Sequence, residues 1–192
     1  MALTTKLEAV NIMISVIGES PVNTLNGTSV PVTVTQAVHA LEETSKAIQS
    51  EGWHFNTEYD YPLVPDAVTS RITLPVNTLK VDLDPEIYTD SDPVQRGLKL
   101  YDRKNHRDTW TKDLKAIITF ELDFEELPEQ FRHYISVKSA RIFAARFLGS
   151  REIEGFALRD EVEAKARAIE SDSETADRTI FDNYSVLRVL DR

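Results

Sequence analysis

Prolines limit where helices can form in this 192-residue chain, because most of the prolines lie close together in the sequence. Five of the eight fall between residues 62 and 93, namely Pro62, Pro65, Pro75, Pro85 and Pro93. A proline inside a helix removes one backbone hydrogen bond, and its ring clashes with the preceding turn. The middle of the chain is therefore predicted to be β structure and loops, with the helices confined to the two flanking regions.

The flanking regions show helical periodicity. In the first one, apolar residues recur at spacings of four and three, which is typical of one face of an amphipathic helix ending near Gly18. A second helix is predicted from about Thr33 to Glu51, with Gly52 as its stop. After the β region, a third helix is predicted to begin at Pro128 and end at Gly149, and a fourth to run from about Glu152 to Ala176. The apolar residues of the first stripe are Leu3, Leu7, Val10, Ile14 and Ile17.

The region between these flanks shows alternation of apolar and polar residues, which is typical of strands. The clearest strand is predicted from Ile118 to Phe124, with alternate residues facing a core and solvent. Another alternating run begins directly after Gly52, where Trp53 and Phe55 are expected to point the same way. Further alternating pairs and triplets are Leu79, Val81 and Leu83, and Leu98 and Leu100.

This order of elements predicts an α+β fold. The N- and C-terminal helices, residues 1–51 and 127–177, are expected to form one four-helix-type bundle domain. An antiparallel β domain, residues 52–126, is expected to be inserted between the second and third helices. Residues 178–192 are expected to form a polar C-terminal tail that contains a few apolar side chains.

The composition excludes several classes of function. With 22 basic and 32 acidic side chains, the net charge of −10 argues against binding DNA by simple neutralisation of phosphates. The absence of cysteine excludes disulfides and thiolate metal sites, and the four histidines lack metal-ligand spacing. The apolar run from Ile12 to Ile17 is too short for a signal peptide or a membrane span, so a soluble protein is expected.

A group of acidic residues is the best candidate for catalysis. Glu121 and Asp123 would lie on one face of the predicted strand, roughly 7 Å apart, and Glu125 and Glu126 follow them. Glycosidases use two carboxylates roughly 5 to 10 Å apart. The alternative is that these side chains are the solvated outer face of a half-buried strand, and spacing alone does not exclude it.

A second candidate is the segment from Arg96 to Lys112, which combines six basic residues with Tyr101, His106 and Trp110. Basic residues interleaved with aromatic ones can bind single-stranded nucleic acid. The alternatives are a hairpin whose solvated tip is Lys104-Asn105-His106, or a loop that docks on an acidic partner.

The third helix carries basic residues beside its apolar stripe. Lys138 and Arg141 are three residues apart, with Arg132 and Arg146 on the same helix. They could form a face that contacts an acidic neighbouring subunit. They could equally be long side chains that lie along the apolar stripe with their charges in solvent.

Several strings of residues are informative when taken together and in order. They are Ile17-Gly18-Glu19 with Pro21-Val22 and Thr24-Leu25, then Ile48–Asn56, Tyr101-Asp102-Arg103, Phe124–Ile135, Lys138–Arg141, Arg146–Gly149 and Glu154-Gly155. In this order and spacing they resemble the tail tubular protein A family of short-tailed phages. The matching strings cover about half of the chain, and residues 60–95 and those after Asp177 carry none of the resemblance.

The resemblance implies a structural head–tail adaptor without catalytic, cofactor-binding or metal-binding residues. Such an adaptor is expected to assemble in the host cytoplasm and to form a dodecameric ring in the virion tail. Its expected partners are other copies of itself, the portal protein above, the nozzle protein (tail tubular protein B) below, and tail fibres near that junction. The genome would pass through the lumen without specific binding, and a negatively charged lumen would repel the DNA backbone.

Two sets of residues are predicted to make the contacts of this adaptor. The exposed part of the third helix and its basic residues Arg132, Lys138, Arg141 and Arg146 are the candidates for the subunit interface. The apolar tail residues would order against the portal as a segment that folds on binding, and they are Val186, Leu187, Val189 and Leu190.

Overall fold

The computed structural model describes residues 3–27, 30–148 and 151–176, and it contains both helices and antiparallel sheets. The α+β prediction is therefore confirmed. The helices are α1 (Lys6–Val16), α2 (Val32–Gln49), α3 (Glu129–Leu148) and α4 (Arg151–Thr175). The strands are β1 (Thr57–Leu63), β2 (Thr78–Leu83), β3 (Pro93–Arg96), β4 (Lys99–Asp102) and β5 (Leu114–Phe120). None of the helices in these ranges has the length and hydropathy that crossing a membrane requires.

The chain divides into two compact units by its internal contacts. The helical unit combines the described residues up to Ser45 with those from Phe124 onward, and the β unit is Lys46–Asp123. The last turn of α2 belongs to the β unit. The predicted tail, residues 178–192, lies outside the described residues, and so do the four apolar residues predicted to bind the portal, Val186, Leu187, Val189 and Leu190.

Helix α1 has a defined start and a defined end. The Thr5 hydroxyl oxygen accepts from the Glu8 backbone N–H, and the Glu8 carboxylate accepts from the Thr5 N–H, which is a capping box. The hydrogen bonds that the Thr5 N–H and hydroxyl group donate to the Glu8 carboxylate also hold the pKa of Glu8 below its ordinary value. At the other end, Gly18 has a φ of +83°, and the N–H groups of Gly18 and Glu19 return to the last turn. This is a Schellman motif, and it confirms Gly18 as the stop.

The core of the helical unit is centred on α3, on which both α1 and α4 pack. Only part of the predicted α1 stripe is buried: Val10 and Ile14 are fully buried, whereas Leu3 precedes the helix and is 53% exposed. Helix α3 begins at Glu129, one residue after the predicted Pro128, whose carbonyl accepts from the N–H groups of Phe131 and Arg132. Its buried aromatic side chains are Phe131, Tyr134 and Phe143.

The β unit contains an antiparallel sheet in the order β1-β5-β2 and a separate hairpin, β3-β4. The predicted alternation in β2 is confirmed at Val81 and Leu83, which are buried beside an exposed Asp82. Leu100 is fully buried, but Leu98 lies in the hairpin turn and is exposed. The buried cluster of this unit comprises Leu63, Ile72, Leu74, Val81, Leu83, Leu100, Trp110, Leu114, Ala116, Ile118 and Phe120.

The strand predicted from Ile118 to Phe124 is shifted along the chain, since β5 runs from Leu114 to Phe120. After Phe120, the Glu121 N–H still donates to the Asn77 carbonyl at 2.7 Å, but side chains bind the backbone groups that follow. Gln49 accepts from the Leu122 N–H at 2.8 Å and donates to its carbonyl at 3.0 Å. The Asn77 amide donates to the Glu121 carbonyl at 3.0 Å. The ladder therefore ends early, and residues Phe124–Glu126 form a short 3-10 helix instead of a strand.

The strand predicted directly after Gly52 is also wrong, because residues His54–Asn56 form a 3-10 helix. Asn56 is buried and satisfies three backbone groups at once. Its side-chain oxygen accepts from the Trp53 N–H at 2.9 Å, and its amide donates to the carbonyls of Gln49 and Phe120. Such side-chain bonds offer the backbone an alternative to a sheet ladder, so the strand begins only at Thr57.

Candidate interaction surfaces

Arg132, a predicted interface residue, is 4% exposed and is used inside the helical unit. Its guanidinium group donates to three backbone carbonyls: Leu127 at 2.8 Å, Thr4 at 2.9 Å, and Glu125. The Thr4 N–H and hydroxyl group in turn donate to the Glu129 carboxylate, at 2.8 and 2.5 Å. Arg132 therefore joins the start of the described chain to the start of α3, and this is an intramolecular role.

The other three basic residues of α3 also have partners in the same unit. Arg141 Nε lies 2.5 Å from a carboxylate oxygen of Glu161, and both side chains are mostly buried. Glu161 precedes Lys165 by four residues, a spacing that favours an ion pair on a helix, but in the structure its partner is Arg141. Lys138 Nζ lies 5.5 Å from the centre of the Tyr134 ring, a cation–π distance. The interface role of these residues stays a prediction.

Arg146 stands at the rim of a groove between α2 and α3. The groove has a volume of about 490 Å³ and is lined by Gln36, His39, Ala40, Glu43, Phe143, Arg146 and Phe147. Ala40 and Phe143 are buried, whereas Phe147 is 45% exposed. Arg146 Nη2 lies 3.3 Å from a carboxylate oxygen of Glu43, so one cation and one anion flank apolar surface. The groove can accept apolar side chains from another molecule.

Helix α4 packs on α3, and from Leu158 onward its buried apolar residues are small. Ala164 and Ala168 are buried, whereas Leu158, Val162 and Ile169 are 49%, 63% and 43% exposed. Val162 and Ile169, two of the few large apolar residues of this helix, both lie on its exposed side. Their spacing of seven residues was visible in the sequence, but it does not reveal which of two faces is buried.

The acidic residues considered for catalysis are not arranged on a strand. Glu121 follows the end of β5, and its carboxylate lies 3.2 Å from Lys46 Nζ. Asp123 is exposed, while Glu125 and Glu126 belong to the 3-10 helix. Within the described ranges, no group of three or more acidic or histidine side chains could hold a metal ion. The geometry thus lacks the shared strand face on which the hydrolase alternative depended.

The segment from Arg96 to Lys112 uses its aromatic and basic groups internally. Trp110 is buried, and its ring N–H donates to the Leu100 carbonyl at 3.2 Å. The Arg96 guanidinium carbon lies 3.5 Å from the centre of the Tyr101 ring, and Arg103 pairs with Asp92 at 2.6 Å. Bases need accessible aromatic faces for stacking, whereas Trp110 is buried and Arg96 covers one face of Tyr101.

Asp102 organises the exposed turn at the tip of this segment. Its buried carboxylate accepts from the backbone N–H groups of Asp92, Lys104 and Asn105, and from the Asn105 side chain at 2.7 Å. Burial acts to raise the pKa of Asp102, but the hydrogen bonds outweigh it and hold the pKa below the ordinary value. Because the Asp102 carboxylate accepts hydrogen bonds from four donors, its role is to stabilise the conformation of the turn.

Comparison with known proteins adds one finding. A family model described as "Tube: Tail tubular protein" matches residues 7–178 of this chain. Apart from Lys6, the match includes the four helices and five strands of the described residues, so it covers both units. A search of curated proteins found no match.

Proposed function

Because the chain belongs to the tail tubular protein family and is thus a structural component of a phage tail, we propose that it is the head–tail adaptor of a short-tailed phage. In this proposal, copies of the chain form a ring, expected to be a dodecamer, between the portal protein and the nozzle protein, tail tubular protein B. The genome passes through the lumen, and tail fibres attach near the junction with the nozzle. Assembly takes place in the host cytoplasm.

The observation that carries this proposal is the family match, because it extends over almost the whole described chain. The surface of the helical unit supports it. Leu158, Val162 and Ile169 leave apolar area exposed on one helix, and the groove between α2 and α3 leaves more. A chain that works alone in solution rarely exposes a contiguous apolar surface, whereas an assembly component needs one.

The mass of the assembled protein tests the ring. Each chain has a mass of 21.8 kDa, so a ring of twelve has a mass of about 260 kDa. We expect native mass spectrometry to detect this species, either in the isolated protein or after addition of the portal protein. A protein that remains monomeric in both samples contradicts the proposal.

Deletion of the residues after Ala176 tests the contact with the portal. The shortened chain keeps every element of the described fold, so its far-UV circular dichroism should match that of the full chain. It lacks Val186, Leu187, Val189 and Leu190, and we expect its affinity for the portal to fall at least tenfold, about 1.4 kcal/mol. Surface-immobilised portal protein provides the measurement.

A point substitution in the same tail supplies the matched control. Asn183→Ala changes a polar tail residue and leaves the four apolar ones in place, so it should bind the portal like the unmodified chain. Unchanged affinity of the shortened chain would show that the tail is not the portal-binding segment.

A further inference from the structure

Helix α4 has a second, largely apolar face that the described part of the chain leaves exposed. Leu158, Val162, Ala166, Ile169 and Ser173 are all exposed, and they recur at spacings of four, four, three and four. On a helix this spacing places all five side chains in one straight row, called here the α4 stripe. Single exposed apolar residues are common, but a continuous row of this kind is how a helix docks into a groove.

The groove between α2 and α3 is a concave surface of the same unit, whereas the α4 stripe is convex. Its floor is apolar, since Ala40 and Phe143 are buried there and Phe147 forms an exposed wall. Its volume of about 490 Å³ lies in the range of sites that enclose several apolar groups. The exposed wall at Phe147 shows that the groove is open to another molecule.

A chain cannot place its own α4 stripe in its own groove, because α3 lies between them. Arg141 points toward α4, where it binds Glu161, whereas Phe143 points into the groove. Two residues apart on a helix correspond to a rotation of about 200°, so these two side chains leave α3 on nearly opposite sides. The stripe and the groove are therefore available for two different neighbours.

We propose that the α4 stripe of one copy of this chain lies in the α2/α3 groove of the next copy, and this inference rests on the proposed ring. The charges at the two surfaces agree with it. Lys165 and Glu170 stand on opposite edges of the stripe, and Glu43 and Arg146 stand at the rim of the groove. Exposed Arg159 also stands beside the stripe, so both charge signs flank the apolar row, as both flank the groove, where Arg146 and Glu43 lie 3.3 Å apart.

The contact is heterologous, since it joins two different surfaces of the same chain. Repetition of such a contact adds each copy in the same orientation and closes into a ring when the rotation divides a full circle. An isologous contact, in which one patch meets itself, would stop at a dimer. The inference thus identifies which part of the helical unit forms the ring contact.

Engineered disulfides test the contact, because the chain has no cysteine of its own. Val162→Cys and Phe147→Cys, combined in one chain, should give a ladder of covalent oligomers on oxidation, from dimer upward. Each single variant should stay monomeric on a non-reducing gel. The matched control combines Phe147→Cys with Val68→Cys, a residue of the β unit that is 91% exposed, and it should give no ladder.

Charge substitutions give a second reading that does not depend on disulfide geometry. Val162→Glu and Phe147→Glu each change an exposed position, so each variant should fold but form no ring where the unmodified chain does. In a mixture of the two variants, the Phe147→Glu chain still has an intact stripe and the Val162→Glu chain still has an intact groove. The mixture should therefore give a heterodimer of about 44 kDa, two chains of 21.8 kDa, and nothing larger.

The outcomes separate this inference from the proposed function. Rings in both Glu variants, or no heterodimer in their mixture, would overturn the stripe–groove contact and leave the ring proposal standing. A covalent dimer of the single Val162→Cys variant would show that the stripe meets itself, which also overturns the inference. An unmodified chain that forms no ring even with the portal overturns both.

Discussion

Replacement of Arg132 by alanine should lower the free energy of unfolding of the helical unit by about 3 kcal/mol. The guanidinium group of Arg132 is buried and donates to the carbonyls of Thr4, Glu125 and Leu127. Alanine leaves three carbonyl groups without their donor and a space where the side chain was. Hydrogen bonds from a charged donor stabilise by about 1.5 to 3 kcal/mol each, and partial rehydration of the carbonyls returns some of that loss.

Denaturant titration followed by far-UV circular dichroism measures this effect, because the signal comes mainly from the helices. Tryptophan fluorescence gives a separate reading of the β unit, since Trp53 and Trp110 both belong to it. Arg167→Ala is the matched control: Arg167 is 59% exposed in a surface pair with Glu163, and its loss should cost no more than about 0.5 kcal/mol. Equal stability of the two variants would show that the Arg132 contacts do not stabilise the unit.

Substitution of Asp102 by asparagine should destabilise the β unit by about 2 kcal/mol near neutral pH. The carboxylate of Asp102 accepts four hydrogen bonds, from the N–H groups of Asp92, Lys104 and Asn105 and from the Asn105 amide. An asparagine has one acceptor oxygen and an NH₂ group, so at least one of these donors would face another donor. Tryptophan fluorescence during denaturant titration measures the loss.

The same substitution should remove a pH dependence. The pKa of folded Asp102 lies below the ordinary value of 3.8, so the unfolded chain binds the proton first as the pH falls. The stabilisation by the carboxylate is therefore complete above about pH 4 and is lost as the pH falls through the folded-state pKa. We expect the difference between the unmodified chain and Asp102→Asn to shrink over this interval.

An exposed aspartate of the same unit provides the control for both measurements. Asp60 is paired with Lys115 at 3.6 Å and its side chain is 71% exposed. Asp60→Asn should change stability by no more than about 0.5 kcal/mol, and asparagine tolerates the φ of +55° at this position. A constant difference between the unmodified chain and Asp102→Asn from neutral pH into acid would contradict the role given to the Asp102 carboxylate.

The periodicity of the sequence predicts the element types well, because it reflects local backbone geometry. All four helices are present close to their predicted positions, and Gly18 and Gly52 both have positive φ angles where stops were expected. Strand β2 also shows the expected alternation. These features depend on residues within one or two turns of each other, which a sequence displays directly.

The errors occur where residues far apart in the chain bind the backbone. The predicted strand after Gly52 fails because Asn56 binds the carbonyl of Phe120, 64 residues away. The end of β5 depends on Gln49 and Asn77, which occupy the backbone groups of Leu122 and Glu121. No periodic pattern in the sequence identifies such partners.

The candidate surfaces were only partly predictable for a related reason. The basic residues of α3 are visible in the sequence, but the burial of Arg132 follows from its contact with Thr4, 128 residues away. The apolar residues of α4 are visible as well. An alanine can be buried between two helices as completely as a larger apolar residue. The sequence therefore does not show that Ala164 and Ala168 are buried while Val162 faces outward.

The discontinuous helical unit has a consequence for synthesis of the chain on the ribosome. The residues up to Ser45 emerge first, but α3, on which α1 packs, follows only after the 78 residues of Lys46–Asp123. The 112 residues between the end of α1 (Val16) and the start of α3 (Glu129) take about 6 to 22 s to synthesise at translation rates of roughly 5 to 20 residues per second, so α1 emerges at least that long before its partner. The β unit is continuous and can complete its contacts during that interval. The chain is therefore expected to fold from its middle outward, with Arg132 and Thr4 joining late.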